Sequence, residues 1–379
     1  MEIKRIKTIG YKKLIENSTT PYCKKCLSKN VYDKICVDCK NNGETLYFYE
    51  RVQEKKIHTL KMNFELSSKQ KEASLFFLDH FKNKKDAFLN AVCGSGKTEI
   101  MYEVLLYCLN ENKKPIIVIP RKEIVSELYN RLISVFPNTT IKYLDGTHHD
   151  TNADLLLSTV NQLVNFEKEF DLLILDEADA FPYSGSEYLH RILRKSIKDD
   201  GVFFEMSATI KENINKDIFT MNRRYHKVDL SMPVFLKTKG PVLAKTKEFQ
   251  DILNNMDRKF IIYVSSINKA KNLSSLLNID YVSSKTLNAS DIINKFKINN
   301  THALISTTIL ERGITIPNLD VIIYDADNEV FTHQTIIQIC GRVGRSFEDS
   351  KGNIYIFYRK NSLKFMLVER YINKMNHEM

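Results

Sequence analysis

Three short segments carry residue types whose chemistry belongs together. AVCGSGKT at residues 91–98 puts glycines, a lysine and a hydroxyl into one loop. Gly94 and Gly96 allow a tight turn whose N–H groups converge on an anion, and Lys97 extends that reach to the β- and γ-phosphates of a nucleotide. The Thr98 hydroxyl is a magnesium ligand, and a following helix would turn its positive end to the same phosphates. LDEAD at 175–179 sets Asp176 and Glu177 directly after an apolar run. There Asp176 would hold Mg2+ and Glu177 would orient and deprotonate an attacking water. QICGRVGR at 338–345 supplies Arg342 and Arg345, three apart and so expected on one side of a helix. Such arginines offset the charge that develops on a transferring phosphoryl group. They lie in the other half of the chain, so hydrolysis is expected to require both halves. Ala91 stands where the strict loop pattern has glycine, and Cys93 reads as a small filler. ATP and Mg2+ are the implied ligands.

These segments need strands and helices to hold them. Apolar runs at 87–92, 115–119, 154–158, 172–175 and 202–206 read as buried parallel strands, with amphipathic helices at 99–109 and 122–135 between some of them. The alternation restarts with strands at 259–264, 303–307, 320–324 and 353–358 and helices at 269–277 and 291–297. This order predicts an α/β chain with two parallel-sheet domains in tandem. Residues 222–240 show no period and contain Pro233, so a linker is expected there. The expected division is 1–60, 61–239 and 240–379.

The first division has its own chemistry. Cys23, Cys26, Cys36 and Cys39 form two CxxC knuckles nine residues apart, the pattern of thiolates on one tetrahedral Zn2+. Redox chemistry is the lesser alternative, since nothing around them resembles a thioredoxin unit. Residues 1–61 hold 14 Lys and Arg against 7 Asp and Glu, which accounts for most of the net charge of +10. Lys24, Lys25, Lys29, Lys34 and Lys40 would surround the zinc, and a basic module of this kind favours a polyanion such as nucleic acid. Such a module binds DNA, braces the neighbouring domain or docks a partner. No apolar run approaches the ~20 residues of a membrane helix, and no apolar stretch follows the basic N-terminus. No signal peptide or membrane insertion is therefore expected, and the expected location is the cytoplasm.

With these residues in order, the chain resembles superfamily 2 helicases over roughly residues 60–379. Residues 64–66 followed by Gln70 resemble the Q-motif, whose glutamine reads adenine. Pro120 and Arg121 look like motif Ia, and Ser158 and Thr159 with Gln162 look like Ib. Ser207, Ala208 and Thr209 resemble motif III, which couples hydrolysis to movement. Residues 263–266 resemble motif IV, 307–313 motif V and 338–345 motif VI. The resemblance implies two RecA-like domains. It implies nucleotide contacts from Gln70, Gly94, Ser95, Gly96, Lys97, Thr98 and Gly313, and catalysis by Lys97, Asp176, Glu177, Gln338, Arg342 and Arg345. DNA-backbone contacts would come from Arg121, Thr159, Gln162, Ser265 and Thr308, with coupling through Ser207 and Thr209.

Within that superfamily the chain is similar to the late-competence ComFA-like DNA-uptake ATPases. The four leading cysteines, DEADAFPYSG, STVNQL and TTILERGITIP carry this likeness. PRKEI and QICGRVGR differ from the PTREL and HRxGR usual in DEAD-box RNA helicases, so the DEAD tetrad is no sign of RNA. The resemblance implies an ATP-dependent single-stranded DNA translocase or helicase that draws in transforming DNA. It implies action at the inner face of the cell membrane with other competence proteins and the uptake channel. The alternatives are a primosome-restart or repair-type DNA helicase, and a nucleotide-gated, zinc-anchored DNA scaffold with little turnover.

Overall fold

Apolar runs of four to six residues, bounded by turns, become the buried strands of two parallel sheets. The computed structural model describes residues 3–8, 26–28, 31–32, 35–39 and 46–51. From 56 to 377 it describes all but 93, 121, 146–147, 149, 180–182, 184, 210–214, 227, 240–242, 299–300, 309–315 and 346–348. Contacts divide the chain into two units, one of Met1–Asn90 with Lys97–Thr220 and one of Ala91–Gly96 with Met221–Met379.

The first unit opens with short antiparallel pairs: β1 (Ile3–Thr8), β2 (Val31–Tyr32), β3 (Ile35–Cys36) and β4 (Leu46–Arg51), joined as β1 with β4 and β2 with β3. Then come α1 (Ser68–Lys82), β5 (Ala87–Ala91), α2 (Lys97–Ile100), α3 (Tyr102–Asn110), β6 (Pro115–Ile119), α4 (Lys122–Val135), β7 (Ile141–Leu144) and β8 (Leu155–Thr159). β9 (Phe170–Leu175), α5 (Glu187–Ser196), β10 (Ile197–Ser207) and β11 (Asp217–Met221) complete the sheet, in the order β11-β5-β10-β9-β6-β8-β7. β5, β6 and β8 are buried along their whole length. Both faces are therefore covered, as a parallel sheet with crossover helices requires. On one face Phe77 of α1 stacks on Phe204 of β10, ring centroids 4.5 Å apart. On the other, Leu189, Ile192 and Leu193 of α5 share one core with Leu173 and Leu175 of β9.

The second unit contains β12 (Val234–Lys237), α6 (Lys247–Asn254), β13 (Lys259–Tyr263), α7 (Ile267–Leu277), β14 (Tyr281–Val282), α8 (Ala289–Lys297) and β15 (Ala303–Ser306). β16 (Leu319–Ile323), α9 (His333–Cys340), β17 (Ile354–Tyr358) and α10 (Leu363–His377) follow. Its sheet runs β12-β17-β16-β13-β15-β14, every pairing parallel. Alternation along β13 sends Ile261 and Tyr263 to one core and Phe260 and Ile262 to the other. Numbered within each unit from β5 and from β12, the strands lie in the same order, 1-6-5-2-4-3, and β11 is an addition to the first sheet. The two halves are thus one topology used twice.

Several expectations need correction. The segment read as a linker contains β12, and the second contact unit comprises Ala91–Gly96 with Met221–Met379. β12 is an edge strand with no buried residue, so it lacks the apolar run that marks a central strand, and Pro233 precedes it, as edge positions tolerate. The single helix expected at 99–109 is two, α2 and α3, separated at Met101. β7, β11 and β14 escaped the sequence reading because they are short and lie at or near sheet edges.

Candidate nucleotide site and motor motifs

β5 delivers the chain into residues 91–98. Gly94 and Gly96 have φ of +82° and +79°, the conformation that turns successive N–H groups to one side. Such a nest fits a phosphate group, and α2 begins at Lys97 immediately behind it. Thr98 Oγ1 accepts from Arg131 Nη1 at 3.3 Å, and Arg131 also lies 3.7 Å from Glu99 and 3.6 Å from Glu127. Arg131 was not visible as a site residue in the sequence. Its only signal was the i,i+4 pair with Glu127, which reads as surface charge.

At the end of β9, Asp176 N–H donates to Val118 at 2.9 Å and Ala178 N–H donates to Met206 at 3.0 Å. Glu177, pinned between them, is left-handed with φ +54°, a strained state for a non-glycine residue. Its N–H donates to Asp176 Oδ1 at 2.8 Å. Burial pushes the Asp176 carboxyl up to about 6. Lys97 opposes the shift, and the charges of Glu177 and Asp179 add to it. Thr209 donates its hydroxyl to Asp179 at 3.1 Å and its N–H to Ser207 Oγ at 3.0 Å, so residues 207–209 are tied directly to the carboxylate segment.

The second unit repeats this strand end. Tyr324 N–H donates to Tyr263 at 2.9 Å, Ala326 N–H to Phe357 at 2.8 Å, and Asp325 between them has φ +54°. Here the carboxylate is bridged by Lys269 at 2.7 Å and approached by Arg359 at 3.6 Å. The left-handed position therefore carries Glu177 in one half and an ion-paired Asp325 in the other.

α9 carries Gln338, which is buried, and ends at Cys340. Arg342 and Arg345 therefore lie in the turn after the helix, and the helical spacing expected of them is not met. Arg342 is 3% exposed. Arg345 folds back, its Nε donating to Gly341 at 2.9 Å. Gly344 has φ +67°, and a Cβ there would lie 2.4 Å from the Ser350 carbonyl oxygen.

The described residues assigned to nucleic acid sit at or just after strand ends of their own sheets. Thr159 ends β8, and Gln162 lies in the 3-10 turn Val160–Asn165 behind it. Ser265 follows β13, and its buried hydroxyl has no hydrogen-bond partner among the described residues. Thr308 follows β15. Ser158 donates to the Thr159 carbonyl at 2.9 Å and Ser306 to the Thr307 carbonyl at 2.8 Å, the same bond in both repeats. Gln70 sits in a capping box with Ser67 that starts α1. Cys23, Arg121 and Gly313 lie outside the described residues.

Residues 63–212 match the family described as type III restriction enzyme, res subunit, and 244–347 match the helicase conserved C-terminal domain. Competence protein ComFA of Streptococcus pneumoniae is 30% identical over 94% of this chain and 86% of its own length. The chain belongs to the ComFA family. The Bacillus subtilis ComFA is 26% identical over 91% of this chain and 80% of its own. Yeast Dbp5 bound to RNA and ADP BeF3 superposes with a TM-score of 0.61, covering 83% of this chain and 92% of its own at 17% identity, which establishes the shared fold. A ComFA-family chain of this architecture is a superfamily 2 ATPase.

The ComFA-family chain also gathers its described N-terminal cysteines. Cys26, Cys36 and Cys39 have their sulfurs within 4.8 Å of one another, with Cys26 and Cys36 at 3.5 Å. Metal–sulfur bonds of about 2.3 Å in a tetrahedron span this distance. Cys26 and Cys36 belong to the same core as α5, Tyr188 packs on it, and Arg191 lies 3.6 Å from Asp38. The cysteine module is thus seated on the first unit.

Two predictions follow from this geometry. A carboxyl raised to about 6 favours the fold below its unfolded value of 3.8 and opposes it as pH rises through 6. Asp176→Asn should therefore raise the melting temperature of the nucleotide-free protein by about 2–4 °C above pH 7. The gain should shrink as pH falls toward 4, and differential scanning calorimetry across pH checks it. Gly344→Ala should lower ATP turnover by about 10-fold or more, because the turn carrying Arg342 cannot hold a Cβ. Steady-state kinetics measure this.

Proposed function

We propose that this ATPase moves along single-stranded DNA and drives the uptake of transforming DNA. The observation that carries the reading is the repeated topology with matched polar strand ends. Ser158 and Ser306, both buried, brace the same strand end in each unit, and the grip on a phosphodiester backbone is assigned to Thr159 and Gln162 in one unit and Ser265 and Thr308 in the other. Kinship with proteins named competence proteins, extending over most of the chain, supports the biological setting.

ATP with Mg2+ supplies the phosphoryl group whose transfer drives the motion, and Thr98 with Asp176 would hold the metal. The Gly94 and Gly96 turn with Lys97 binds the phosphates. Glu177, with its side chain set by a left-handed backbone, orients water and takes its proton. Arg342 and Arg345 offset the charge that builds during transfer. The bond between Thr209 and Asp179 lets a change at the carboxylates reach residues 207–209. The expected site of action is the cytoplasmic face of the membrane, beside an uptake channel and other competence proteins. Among the described residues no helix is long and apolar enough to cross a membrane, so contact with a channel would be peripheral.

Steady-state ATP hydrolysis with single-stranded DNA, duplex DNA and RNA tests the reading. Single-stranded DNA should stimulate turnover by about 10-fold or more, and Lys97→Ala should abolish it. Stimulation by RNA alone would overturn the substrate. Strand separation on a forked duplex would favour the repair-type alternative.

The cysteine module is proposed to hold one Zn2+ through Cys23, Cys26, Cys36 and Cys39 and to brace the first unit. Cys26→Ser with Cys36→Ser should remove zinc, read as metal-to-protein ratio, and lower the melting temperature by about 5 °C or more. Full zinc loss with unchanged melting would refute the bracing role.

A further inference from the structure

The segment after β11 reads as charged and irregular, yet one of its arginines is among the most buried charged groups described. Arg224 is 2% exposed. Its guanidinium donates to the carbonyls of Val343 at 2.6 Å, of Gly341 at 3.4 Å and of Gly344. Its two neighbours act on the same turn. The Tyr225 hydroxyl donates to the Arg345 carbonyl at 3.3 Å, and His226 Nε2 donates to Gly344 at 3.0 Å. His226 Nδ1 accepts from Val228 N–H at 3.2 Å, which fixes the neutral tautomer.

We propose that Arg224 is a positioning residue for ATP hydrolysis, holding residues 341–345 in the conformation from which Arg342 acts. The idea rests on the role given to Arg342 above. The helix α9 stops at Cys340, so the carbonyls after it have no intrahelical donors, and a cation at that end also opposes the negative pole of the helix. The planar fork of a guanidinium serves several carbonyls at once, whereas a lysine ammonium is a point donor. A buried cation is tolerated only while hydrogen-bonded, so turn and arginine constrain each other. The carbonyls it holds bracket Arg342 on both sides. Within the same contact unit, the Arg224 side chain also lies against Gly94, where a Cβ would sit 3.5 Å from its Nε and 3.6 Å from its Cδ. One side chain thus holds the turn of the arginines and lies within van der Waals reach of a Cβ built at Gly94.

The test compares Arg224→Lys, Tyr225→Phe, Arg342→Ala and the doubles with Arg342→Ala in the full chain. Melting, affinity for a fluorescent ATP analogue and DNA-stimulated turnover are read for each. Arg224→Lys should keep nucleotide affinity within about two-fold while kcat falls about 10-fold or more, and Tyr225→Phe should lower kcat about 2–5-fold with unchanged melting. Each double should be no slower than Arg342→Ala alone, since a residue acting through another adds nothing once that other is gone. If Arg224→Lys does not fold, Tyr225→Phe and its double decide. Wild-type kcat in both single variants, or doubles slowed by the full product of the single effects, would overturn the proposal. Wild-type turnover in Arg342→Ala would instead remove the reading on which it rests.

Discussion

Two backbone hydrogen bonds at the end of one central strand set the geometry on which the candidate site depends. Asp176 bonds to β6 on one side, and Ala178 bonds to β10 on the other. A parallel strand flanked by two neighbours has no freedom left at that point, and the residue between is forced into the left-handed region. Glu177 accepts that strain and is thereby placed off the strand end, beside a carboxylate whose own charge burial opposes. Strain of this kind persists only where the surrounding sheet over-determines it. β5, fully buried in the same sheet, brings the phosphate loop to the same edge of the fold.

The second unit shows how much of that geometry belongs to topology and how much to chemistry. Its strand order, its two flanking bonds and its left-handed Asp325 reproduce the first unit. Lys269 and Arg359 pair with Asp325, so the repeated backbone there supports an ion pair. Matched serine-to-threonine bonds at β8 and β15 survive in both halves. The features kept twice are the strand-end bonds and the left-handed turn, and the features that differ are the charges gathered around that turn.

Electrostatics enter through a buried and an exposed arginine as well as through carboxylates. Arg224 is placed among the carbonyls of Gly341, Val343 and Gly344, two of which also accept from Arg345 and His226, and Arg131 reaches the hydroxyl of Thr98. Neither belongs to a recognisable motif. Each acts on a motif residue or on the turn that carries one, so the motifs are held by residues whose types alone mark them as ordinary surface charge. The cysteine module is integrated in a similar way, through Cys26 and Cys36 in the core that also contains α5.

Local chemistry is what the sequence determined by itself. The glycine turn before Lys97, the paired carboxylates after an apolar run and the fully buried strands β5, β6 and β13 were all legible, because each is encoded by adjacent residues and short-range sterics. The four-cysteine spacing belongs with them, and its three described members do converge. Only the tertiary structure decided the rest. β12 depends on pairing with β17 more than a hundred residues away, and its exposed residues carry no periodic signal. The turn carrying Arg342 and Arg345 departs from helix because Gly341 ends α9, and its form is held by Arg224, also more than a hundred residues distant. A hydrogen bond over such a separation leaves no trace in residue spacing, since its cost and gain arise only when the chain is folded.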